Sequence, residues 1–331
     1  MKRILSLFSA LALLSLSLVA CGSGNTADDT VTLRLSEVTH SVFYAPQYVA
    51  LSQGFFEEEG LSVELSNGGG ADKVMTAVLS GDADIGLAGP EACIYVHLEG
   101  REDAPVIFAQ LTHCDGSFLV GRSEQPDFSW DDLRGKTVIG GRKGGVPEMT
   151  LEYVMKQHGV APGLDANVDT SVQFNMMAGA FTGGAGDYVA LFEPTASEVE
   201  RNGKGYILCS IGEESGEIPY TAYFAAESFL AEHPELAQRF VNAVTKGLRF
   251  IDEHSDEEVA AAIASAFPDT DAELLAATVA RHRSIGCWSS DGVMTEEALH
   301  NLETVMESAG ELKARVPFTE LVDNSFAEKA K

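Results

Sequence analysis

The fold of this chain is indicated by the stretch Gly81-Asp82-Ala83-Asp84-Ile85-Gly86-Leu87-Ala88-Gly89-Pro90-Glu91. Its apolar centre, residues 85–88, lies between a Gly-Asp turn and a Gly-Pro pair, which predicts a buried parallel strand that ends abruptly in a loop. Pro90 is placed to open the following helix, and Glu91 then lies in its first turn. The strand therefore brings a carboxylate to the carboxyl edge of a sheet, where ligands bind in open α/β sheets.

The N-terminus has the three-part layout of a secretory signal. Lys2 and Arg3 precede an apolar run over residues 4–18, and Leu18-Val19-Ala20 then leads into Cys21 in the pattern of a lipobox. The apolar run is short and ends in small residues, which argues against a transmembrane anchor. The pattern predicts that the leader is removed and that Cys21 is lipidated.

A lipoprotein of this kind would be extracytoplasmic, attached to the cell membrane by its lipid or held in the periplasm. We expect a signal peptide over residues 1–20 and a flexible tether of small polar residues over 21–30. Loss of Lys2 and Arg3 with the leader would make the formal net charge, −28 for the whole chain, more negative by two. Such a surface repels nucleic acid and anionic lipid head groups, so we expect membrane attachment through the lipid alone and no nucleic-acid partner.

Length and composition allow a large core. The chain has 331 residues, of which 45% are hydrophobic, and this is enough for two lobes. The four cysteines beyond the leader are far apart and show no CxxC spacing, so we expect no zinc and no other metal or cofactor. One or two disulfides in an oxidising compartment stay open at this point. These cysteines are Cys93, Cys114, Cys209 and Cys287.

Predicted strands and helices alternate along the chain, which indicates an α/β fold. The alternation begins at a strand over 32–38, restarts at a strand over 137–140, and gives way to helices from residue 227 onward. The simplest topology has two βαβ lobes, the second inserted in the first. Lobe 1 would comprise residues 31–120 and 221–331, and lobe 2 residues 121–220. Two crossings, near 118–122 and 219–224, would act as a hinge that lets the cleft between the lobes close on a ligand.

Four segments of the sequence resemble the solute-binding lipoproteins of ABC importers. The chain is most similar to the branch that groups binders of thiamine-pyrimidine precursors, sulfonates, taurine and nitrate, and the patterns are more specific for that branch than for any one ligand. The resemblance implies a type II periplasmic-binding-protein fold with a hinged cleft, and a monomer that delivers a small molecule to a membrane permease and its ATPase. The segments are Phe43-Tyr44-Ala45-Pro46, Gly54-Phe55-Phe56-Glu57-Glu58-Glu59-Gly60-Leu61, Ala77-Val78-Leu79-Ser80-Gly81-Asp82-Ala83-Asp84-Ile85-Gly86 and Asp132-Leu133-Arg134-Gly135-Lys136.

Candidate ligand-binding residues in the first lobe follow the first and the central strand. In similar proteins the loop after the first strand faces the ligand, and its aromatic pair here could stack on a planar ring or only pack a helix onto the sheet. The acid after the central strand could contact the ligand or only stabilise a helix N-terminus. The first-lobe candidates are His40, Ser41, Phe43, Tyr44, Gly89, Pro90 and Glu91.

The other candidates come from a glycine-rich turn and the ends of a buried strand in the second lobe, and from one tryptophan in the C-terminal part of the first lobe. The turn over 140–148 lacks the GK[ST] ending of a P-loop, but its backbone N–H groups and basic side chains could hold a polar group. The tryptophan, between two long helices, could cap the cleft or fill a gap between the helices. These candidates are Arg142, Gly144, Glu148, Asp187, Tyr188, Glu193 and Trp288.

The acids among these candidates favour a ligand that carries amino groups. Carboxylates disfavour a bound anion, whereas an amino-substituted heterocycle would form charge-assisted hydrogen bonds with them. A thiamine-precursor-like aminopyrimidine, or another nitrogenous aromatic, is therefore the first hypothesis. Arg142 and Lys143 keep a zwitterion such as taurine, or another sulfonate, as the alternative. The acids concerned are Glu91, Glu148, Asp187 and Glu193.

Catalysis is the third hypothesis, because the same fold also houses a yeast-type pyrimidine synthase. That enzyme family carries a CCCFC motif, which this chain lacks. No Ser-His-Asp arrangement and no metal-ligand spacing is visible either, so no catalytic residue is assigned and we expect a binding protein.

Overall fold

Ten strands form two five-stranded sheets in the computed structural model, which describes residues 30–330. The predicted signal peptide, the lipidation site Cys21 and the tether up to residue 29 lie outside the described residues. The strands are β1 (Val31–Glu37), β2 (Leu61–Asn67), β3 (Ile85–Ala88), β4 (Pro105–Thr112), β5 (Ser117–Gly121), β6 (Thr137–Ile139), β7 (Asn167–Asp169), β8 (Tyr188–Phe192), β9 (Tyr206–Ser210) and β10 (Thr221–Ala226).

Within residues 30–330, fifteen α-helices connect and cover these strands. None of them combines the length and the hydrophobicity that a membrane-spanning helix needs. They are α1 (Ala45–Ser52), α2 (Phe55–Glu58), α3 (Ala71–Ser80), α4 (Glu91–Leu98), α5 (Val146–Gln157), α6 (Met177–Thr182), α7 (Thr195–Arg201), α8 (Ile211–Ser215), α9 (Glu227–Glu232), α10 (Pro234–Glu253), α11 (Asp256–Ile263), α12 (Ala272–Ser284), α13 (Glu296–Ala309), α14 (Phe318–Leu321) and α15 (Ser325–Lys329).

The first sheet has the strand order β2-β1-β3-β10-β4, with β3 at its centre. β1 pairs in parallel with β2 and β3, whereas β10 runs antiparallel to β3 and β4. All four residues of β3 are buried, which explains why its sequence is a continuous apolar run rather than an alternating one. Helix α4 begins at Glu91, with Pro90 just outside it, so the predicted delivery of Glu91 to the sheet edge is observed.

The second sheet has the strand order β7-β6-β8-β5-β9. The segment over 118–122, predicted as a crossing, is instead largely strand β5, which is hydrogen-bonded to β8 on one side and β9 on the other. The backbone passes between the sheets just before β5, over residues 113–116, and just before β10, over 216–220. We call each sheet with its helices a lobe; the predicted boundaries at residues 120 and 221 stay a prediction.

The side chains of β5 are buried on both faces of the sheet. Its side chains alternate between the two faces, so that Phe118 and Val120 pack in one hydrophobic cluster and Leu119 in another. A connection exposed to solvent would leave these side chains in water. Burial on both faces therefore places the segment in the second lobe, and the chain folds as an α/β protein with two sheets.

The four cysteines in the described part of the chain are free thiols. Cys93, Cys114 and Cys287 are buried, and Cys209 is half-buried. Burial raises the pKa of the Cys93 and Cys287 thiols well above the ordinary value. These groups are therefore protonated at neutral pH and behave as small apolar side chains.

Candidate functional site

A cleft of about 700 Å³, counting the space at its open mouth, lies between the two lobes. Its walls come from the carboxyl ends of β1, β2 and β3 in the first lobe and of β6, β7 and β8 in the second, together with the connection into β10. This is the position that the strand pattern predicts. The lining residues are Val38, Thr39, Tyr44, Gly69, Gly70, Ala71, Asp72, Gly89, Glu91, Gly141, Arg142, Gly145, Val146, Pro147, Gln173, Phe174, Phe192, Tyr220 and Thr221.

Glu91 is the buried acid of this cleft, with only 1% of its surface exposed. Its Oε1 atom accepts a hydrogen bond of 3.4 Å from the backbone N–H of Val146, across the cleft. Its Oε2 atom is buried and has no hydrogen-bond partner among the described residues. Burial raises the pKa of Glu91 to about 7, although Arg142 and the backbone N–H of Val146 lower it. The lining of the cleft thus contains one buried carboxyl oxygen without a hydrogen-bond partner among the described residues.

Gly89 provides the room for that carboxyl group. A Cβ atom at this position would overlap the Oε2 atom of Glu91 and approach the side chain of Val146. The glycine therefore follows β3 for a steric reason, because any side chain would push Glu91 out of its position.

Arg142 is a cation beside this acid. Its Nε atom lies 3.5 Å from Oδ1 of Asp72, so the two side chains form an ion pair between the lobes. The side chains are 41% and 55% exposed, and solvent screening leaves the pair worth little to stability. Arg142 can therefore turn toward a ligand at small cost.

Aromatic rings from both lobes form the apolar part of the cleft. Phe192 lies 5.6 Å from Phe174 and 6.1 Å from Tyr220, measured between ring centroids. Tyr44, from the first lobe, is 3% exposed, and burial raises the pKa of its phenol, so the group stays neutral. A flat ligand would find ring faces and edges on more than one side.

A smaller cavity adjoins the cleft and shares Thr39, Phe174 and Phe192 with it. His40, Ser41 and Glu193, three of the predicted ligand residues, line this smaller cavity and not the cleft itself. His40 uses both ring nitrogens within the fold, because Nδ1 lies 3.0 Å from Glu37 and Nε2 lies 2.7 Å from the carbonyl of Ala266. Hydrogen bonding to Glu37 raises the pKa of His40.

Glu193 is satisfied inside the protein, which corrects its predicted role as a ligand acid. Its carboxylate accepts hydrogen bonds from the Ser197 backbone N–H at 2.9 Å and the Ser197 hydroxyl at 2.8 Å, and it forms an ion pair with Arg281. Ser41 is equally occupied, since its hydroxyl donates to the carbonyl of Glu193 at 2.6 Å and caps the turn that begins at Val42. Both residues join the lobes rather than present free polar atoms.

Three further predicted ligand residues pack within the protein and do not line the cleft: Phe43, Pro90 and Trp288. Phe43 is 1% exposed and packs against Tyr220, and the indole N–H of Trp288 donates to the carbonyl of Phe43 at 2.9 Å. Pro90 is buried at the start of α4. Of the two roles considered for Phe43, stacking on a ligand and packing within the protein, the structure shows packing.

The remaining predicted residues lie elsewhere. The backbone N–H of Gly144 donates to Oε2 of Glu148 at 3.0 Å, so this pair closes the glycine-rich turn instead of lining the cleft. Asp187 and Tyr188 stand at the amino end of β8, and Asp187 accepts from the backbone N–H of Thr137 at 2.9 Å. A five-residue strand is about 16 Å long, so its amino end cannot reach a cleft at its carboxyl end.

Several lining residues were not predicted from the sequence. Gly69, Gly70 and Asp72 follow β2 and line the cleft. β2 is the parallel neighbour of β1, so its carboxyl end had to share the same edge, and this signal was available. Phe174 follows β7 and Tyr220 lies in a predicted crossing, and no local sequence pattern at either residue marks a cleft. Among residues 30–330, no group of three or more acidic, His or Cys side chains is arranged to hold a metal.

Several solved structures with a similar fold are binding proteins by name, and another is the desulfurization enzyme DSZB. The alkanesulfonate-binding protein SsuA from Xanthomonas axonopodis pv. citri superposes with a TM-score of 0.73 at 14% identity, over 89% of this chain and 99% of that one. The periplasmic nitrate-binding protein NrtA from Synechocystis PCC 6803 superposes with a TM-score of 0.71 at 17% identity, over 91% and 88% of the two chains. At these identities the likeness shows the fold alone, and it confirms the predicted periplasmic-binding-protein fold.

Sequence comparison identifies the family of the chain, which the structural likeness alone does not. YtlA, a predicted binding protein of Bacillus subtilis (strain 168), is 42% identical over 317 residues, which cover 96% of this chain and 94% of YtlA. The model of the family described as NMT1/THI5 like matches residues 42–258, a span that includes all of the cleft residues except Val38 and Thr39. The chain therefore belongs to the NMT1/THI5-like family.

Proposed function

We propose that this protein is the extracytoplasmic solute-binding component of an ABC importer, and that it captures a nitrogenous aromatic molecule of the aminopyrimidine class. The ligand binds in the cleft between the lobes, which close on it, and the loaded protein is recognised by a permease with its ATPase. The protein acts as a monomer held at the membrane by a lipid on Cys21. The support for transport is the family and the two-lobed fold; the support for the ligand is the chemistry of the cleft.

The unpartnered Oε2 atom of Glu91 carries the proposal for the ligand. A buried carboxyl oxygen without a hydrogen bond is costly, so this arrangement suits a ligand that supplies an N–H donor. A hydrogen bond between a ligand amino group and the ionised carboxylate would contribute about 1.5–3 kcal/mol. An anion would instead meet a negative group at this point.

The rings of the cleft favour an aromatic ligand over an aliphatic one. Tyr44, Phe174, Phe192 and Tyr220 surround the same space as Glu91. A flat heterocycle can contact such rings edge-on or in offset stacks, which adds about 0.5–1.5 kcal/mol for each pair beyond area burial. A heterocycle that bears an amino group uses both the rings and the acid.

Taurine or a related aminosulfonate is the second candidate, and Arg142 is the observation that favours it. Its guanidinium lines the cleft beside Glu91, so a zwitterion could place its sulfonate on Arg142 and its ammonium on Glu91. Asp72 already pairs with Arg142, which weakens the anion site. Simple sulfonates and nitrate have no group for Glu91 and rank below both.

We propose no catalytic role for the cleft. Its described lining contains the acids Glu91 and Asp72 but no serine, cysteine or lysine nucleophile paired with a base. The chain therefore differs in chemistry from a pyrimidine synthase, although the resemblance placed both on one fold.

A thermal-shift screen followed by calorimetry tests the proposal. Wild-type protein is compared with Glu91→Gln and with a matched control, Glu148→Gln, which alters another buried carboxyl group that does not line the cleft. We expect an aminopyrimidine to raise the melting temperature of the wild type and of Glu148→Gln. Glu91→Gln should bind it about 10- to 100-fold more weakly. Equal affinity in all three proteins, or a shift with taurine and none with aminopyrimidines, would overturn the ligand assignment.

A further inference from the structure

The smaller cavity beside the cleft has a volume of about 460 Å³, counting the space at its open mouth. Thr39, Phe174 and Phe192 line both spaces, so the two phenylalanine rings belong to the cleft and to the smaller cavity. The first lobe contributes the loop after β1, and the second lobe contributes the carboxyl end of β8 and the starts of α6 and α7. A ligand that lies against these rings in the cleft can therefore extend into the smaller cavity.

The charged side chains that line the smaller cavity are already paired within the protein. His40 directs Nδ1 toward the carboxylate of Glu37 and Nε2 toward the carbonyl of Ala266. Glu193 forms its ion pair with Arg281. Among the described lining residues, no charge is thus left without a partner. A charged group that entered the cavity would lose its water and gain no counter-charge.

Three uncharged polar side chains in the same lining have no such partners. They are the hydroxyls of Thr39 and Thr195 and the amide of Asn175, and none of them is hydrogen-bonded to another described residue. Thr195 and Asn175 line the smaller cavity and not the cleft. Thr195 is half-buried, whereas Asn175 is exposed. A hydroxyl can donate and accept a hydrogen bond, so Thr195 can pair with a neutral group of either kind.

Apolar side chains form most of the remaining lining. Met177 of α6 and Ala190 and Leu191 of β8 are each at most 5% exposed, and Ala178 of α6 is half-buried. Such a surface binds the carbon atoms of a ligand by removing them from water. The smaller cavity therefore suits a short substituent with a carbon stem and an uncharged polar end.

We propose that the smaller cavity is a second subsite for the ligand of the cleft, and that it binds a short, uncharged polar arm whose end is hydrogen-bonded to the Thr195 hydroxyl. The inference rests on the proposed function, because the arm must be attached to a ring that lies in the cleft. Glu91 lines the cleft and not the smaller cavity, so the amino group and the arm leave the ring at different positions. The proposed aminopyrimidine is thereby narrowed to one with a neutral polar substituent, such as a hydroxymethyl group.

Calorimetry with four pyrimidines tests the proposal. They are 4-aminopyrimidine and its derivatives with a methyl, a hydroxymethyl or a carboxylate group at the neighbouring ring carbon, so that the arm is absent, apolar, neutral and polar, or charged. We expect the wild type to bind the hydroxymethyl compound about ten-fold more tightly than the methyl compound, because only the hydroxyl gains a hydrogen bond in the cavity. The carboxylate compound should bind no more tightly than 4-aminopyrimidine, because its charge finds no partner.

Two variants test whether the arm lies in the smaller cavity. Ala178→Leu fills part of that cavity without changing a residue that lines the cleft. Thr195→Val removes one hydroxyl and keeps the shape of the side chain. We expect each variant to bind the hydroxymethyl compound about ten-fold more weakly and 4-aminopyrimidine within about two-fold of the wild type. Ala180→Leu is the matched control, since Ala180 is another half-buried alanine of α6 and lines neither space.

Equal affinity of the wild type for the methyl and hydroxymethyl compounds would overturn this inference and leave the proposed function standing. An Ala178→Leu variant that matches Ala180→Leu for every compound would overturn it as well. Failure of all four pyrimidines to bind the wild type would instead overturn the proposed ligand, and the inference with it. If Ala178→Leu does not fold, Thr195→Val still decides the outcome, because unchanged affinity for the hydroxymethyl compound would show that the arm does not reach Thr195.

Discussion

The Oε1 atom of Glu91, at the start of α4 in the first lobe, accepts a hydrogen bond from the backbone N–H of Val146, the first residue of α5 in the second lobe. The first N–H groups of a helix have no partner within the helix, so the carboxyl group satisfies one of them. The contact joins the lobes at the bottom of the cleft. It occupies one carboxyl oxygen and leaves the other without a partner among the described residues.

Glu91 should make the stability of the ligand-free protein depend on pH. Burial raises its pKa from 4.5 to about 7, so the folded state holds a proton that the unfolded state has lost between these values. The free energy of unfolding therefore falls as pH rises from 4.5 to 7, by on the order of 3 kcal/mol from this group. Urea unfolding at pH 5 and pH 8 should show a smaller decline in Glu91→Gln than in the wild type.

Glu148 and Asp115 also have raised pKa values, so they contribute to the pH-dependent decrease in the free energy of unfolding in both proteins. The contribution of Glu91 is therefore the difference between the decreases in the wild type and in Glu91→Gln. An identical decline in the wild type and in Glu91→Gln would contradict the assignment of the raised pKa to Glu91.

Gly89→Ala should impair ligand binding more than stability. The added Cβ would overlap Oε2 of Glu91, so the carboxyl group must leave the position from which it meets the ligand. We expect a loss of affinity of about ten-fold or more, which corresponds to about 1.4 kcal/mol of binding free energy. Gly179→Ala is the control, since a Cβ there meets nothing within 4 Å. Calorimetry with unchanged affinity in Gly89→Ala would show that the ligand does not use Glu91.

Phe174→Ala should discriminate between the two candidate ligands. Phe174 contributes a ring to the cleft next to Phe192, and its loss should cost an aromatic ligand about 1–3 kcal/mol in contacts and burial. Taurine has no ring and should lose much less. Phe229→Ala, on α9 and outside the cleft, controls for the loss of a half-buried phenylalanine. Equal losses for both ligands would argue against stacking.

Glu193→Gln should lower stability and leave affinity nearly unchanged. The carboxylate pairs with Arg281 and accepts two hydrogen bonds from Ser197, and removing one partner of a buried ion pair typically costs about 3–5 kcal/mol. Because Gln retains a hydrogen-bond acceptor, we expect the lower end of that range. Parallel urea unfolding and calorimetry measure both effects. A large loss of affinity with little loss of stability would restore Glu193 as a ligand residue.

Cys21→Ser should release the protein from membranes, because the lipobox predicts that Cys21 carries the lipid. The formal net charge of −28 opposes attachment to anionic lipid once that anchor is gone. Fractionation of cells that express the two forms, with antibody detection, measures the change. Variant protein that remains in the membrane fraction after a salt wash would refute lipidation as the means of attachment.

The sequence alone determined the kind of fold and the sheet edge at which the candidate site lies. A continuous apolar run at β3, closed by Gly89 and Pro90, is a local signal for a buried strand that ends at a ligand edge, and the structure places Glu91 there. Arg142 was found in the same way, from a glycine-rich turn after a strand. Such signals are readable because helix and strand periods repeat over a few neighbouring residues.

Only the tertiary structure decided which of the predicted acids keeps an oxygen without a hydrogen-bond partner. Glu193 and Glu91 both follow buried strands, yet Arg281, 88 residues further along, satisfies Glu193, and no described residue satisfies Oε2 of Glu91. Asp187 and Glu193 bracket one strand and lie at its opposite ends. A side chain gains or lacks its partners through contacts between distant segments, and the packing of two lobes, not a local pattern, brings those segments together.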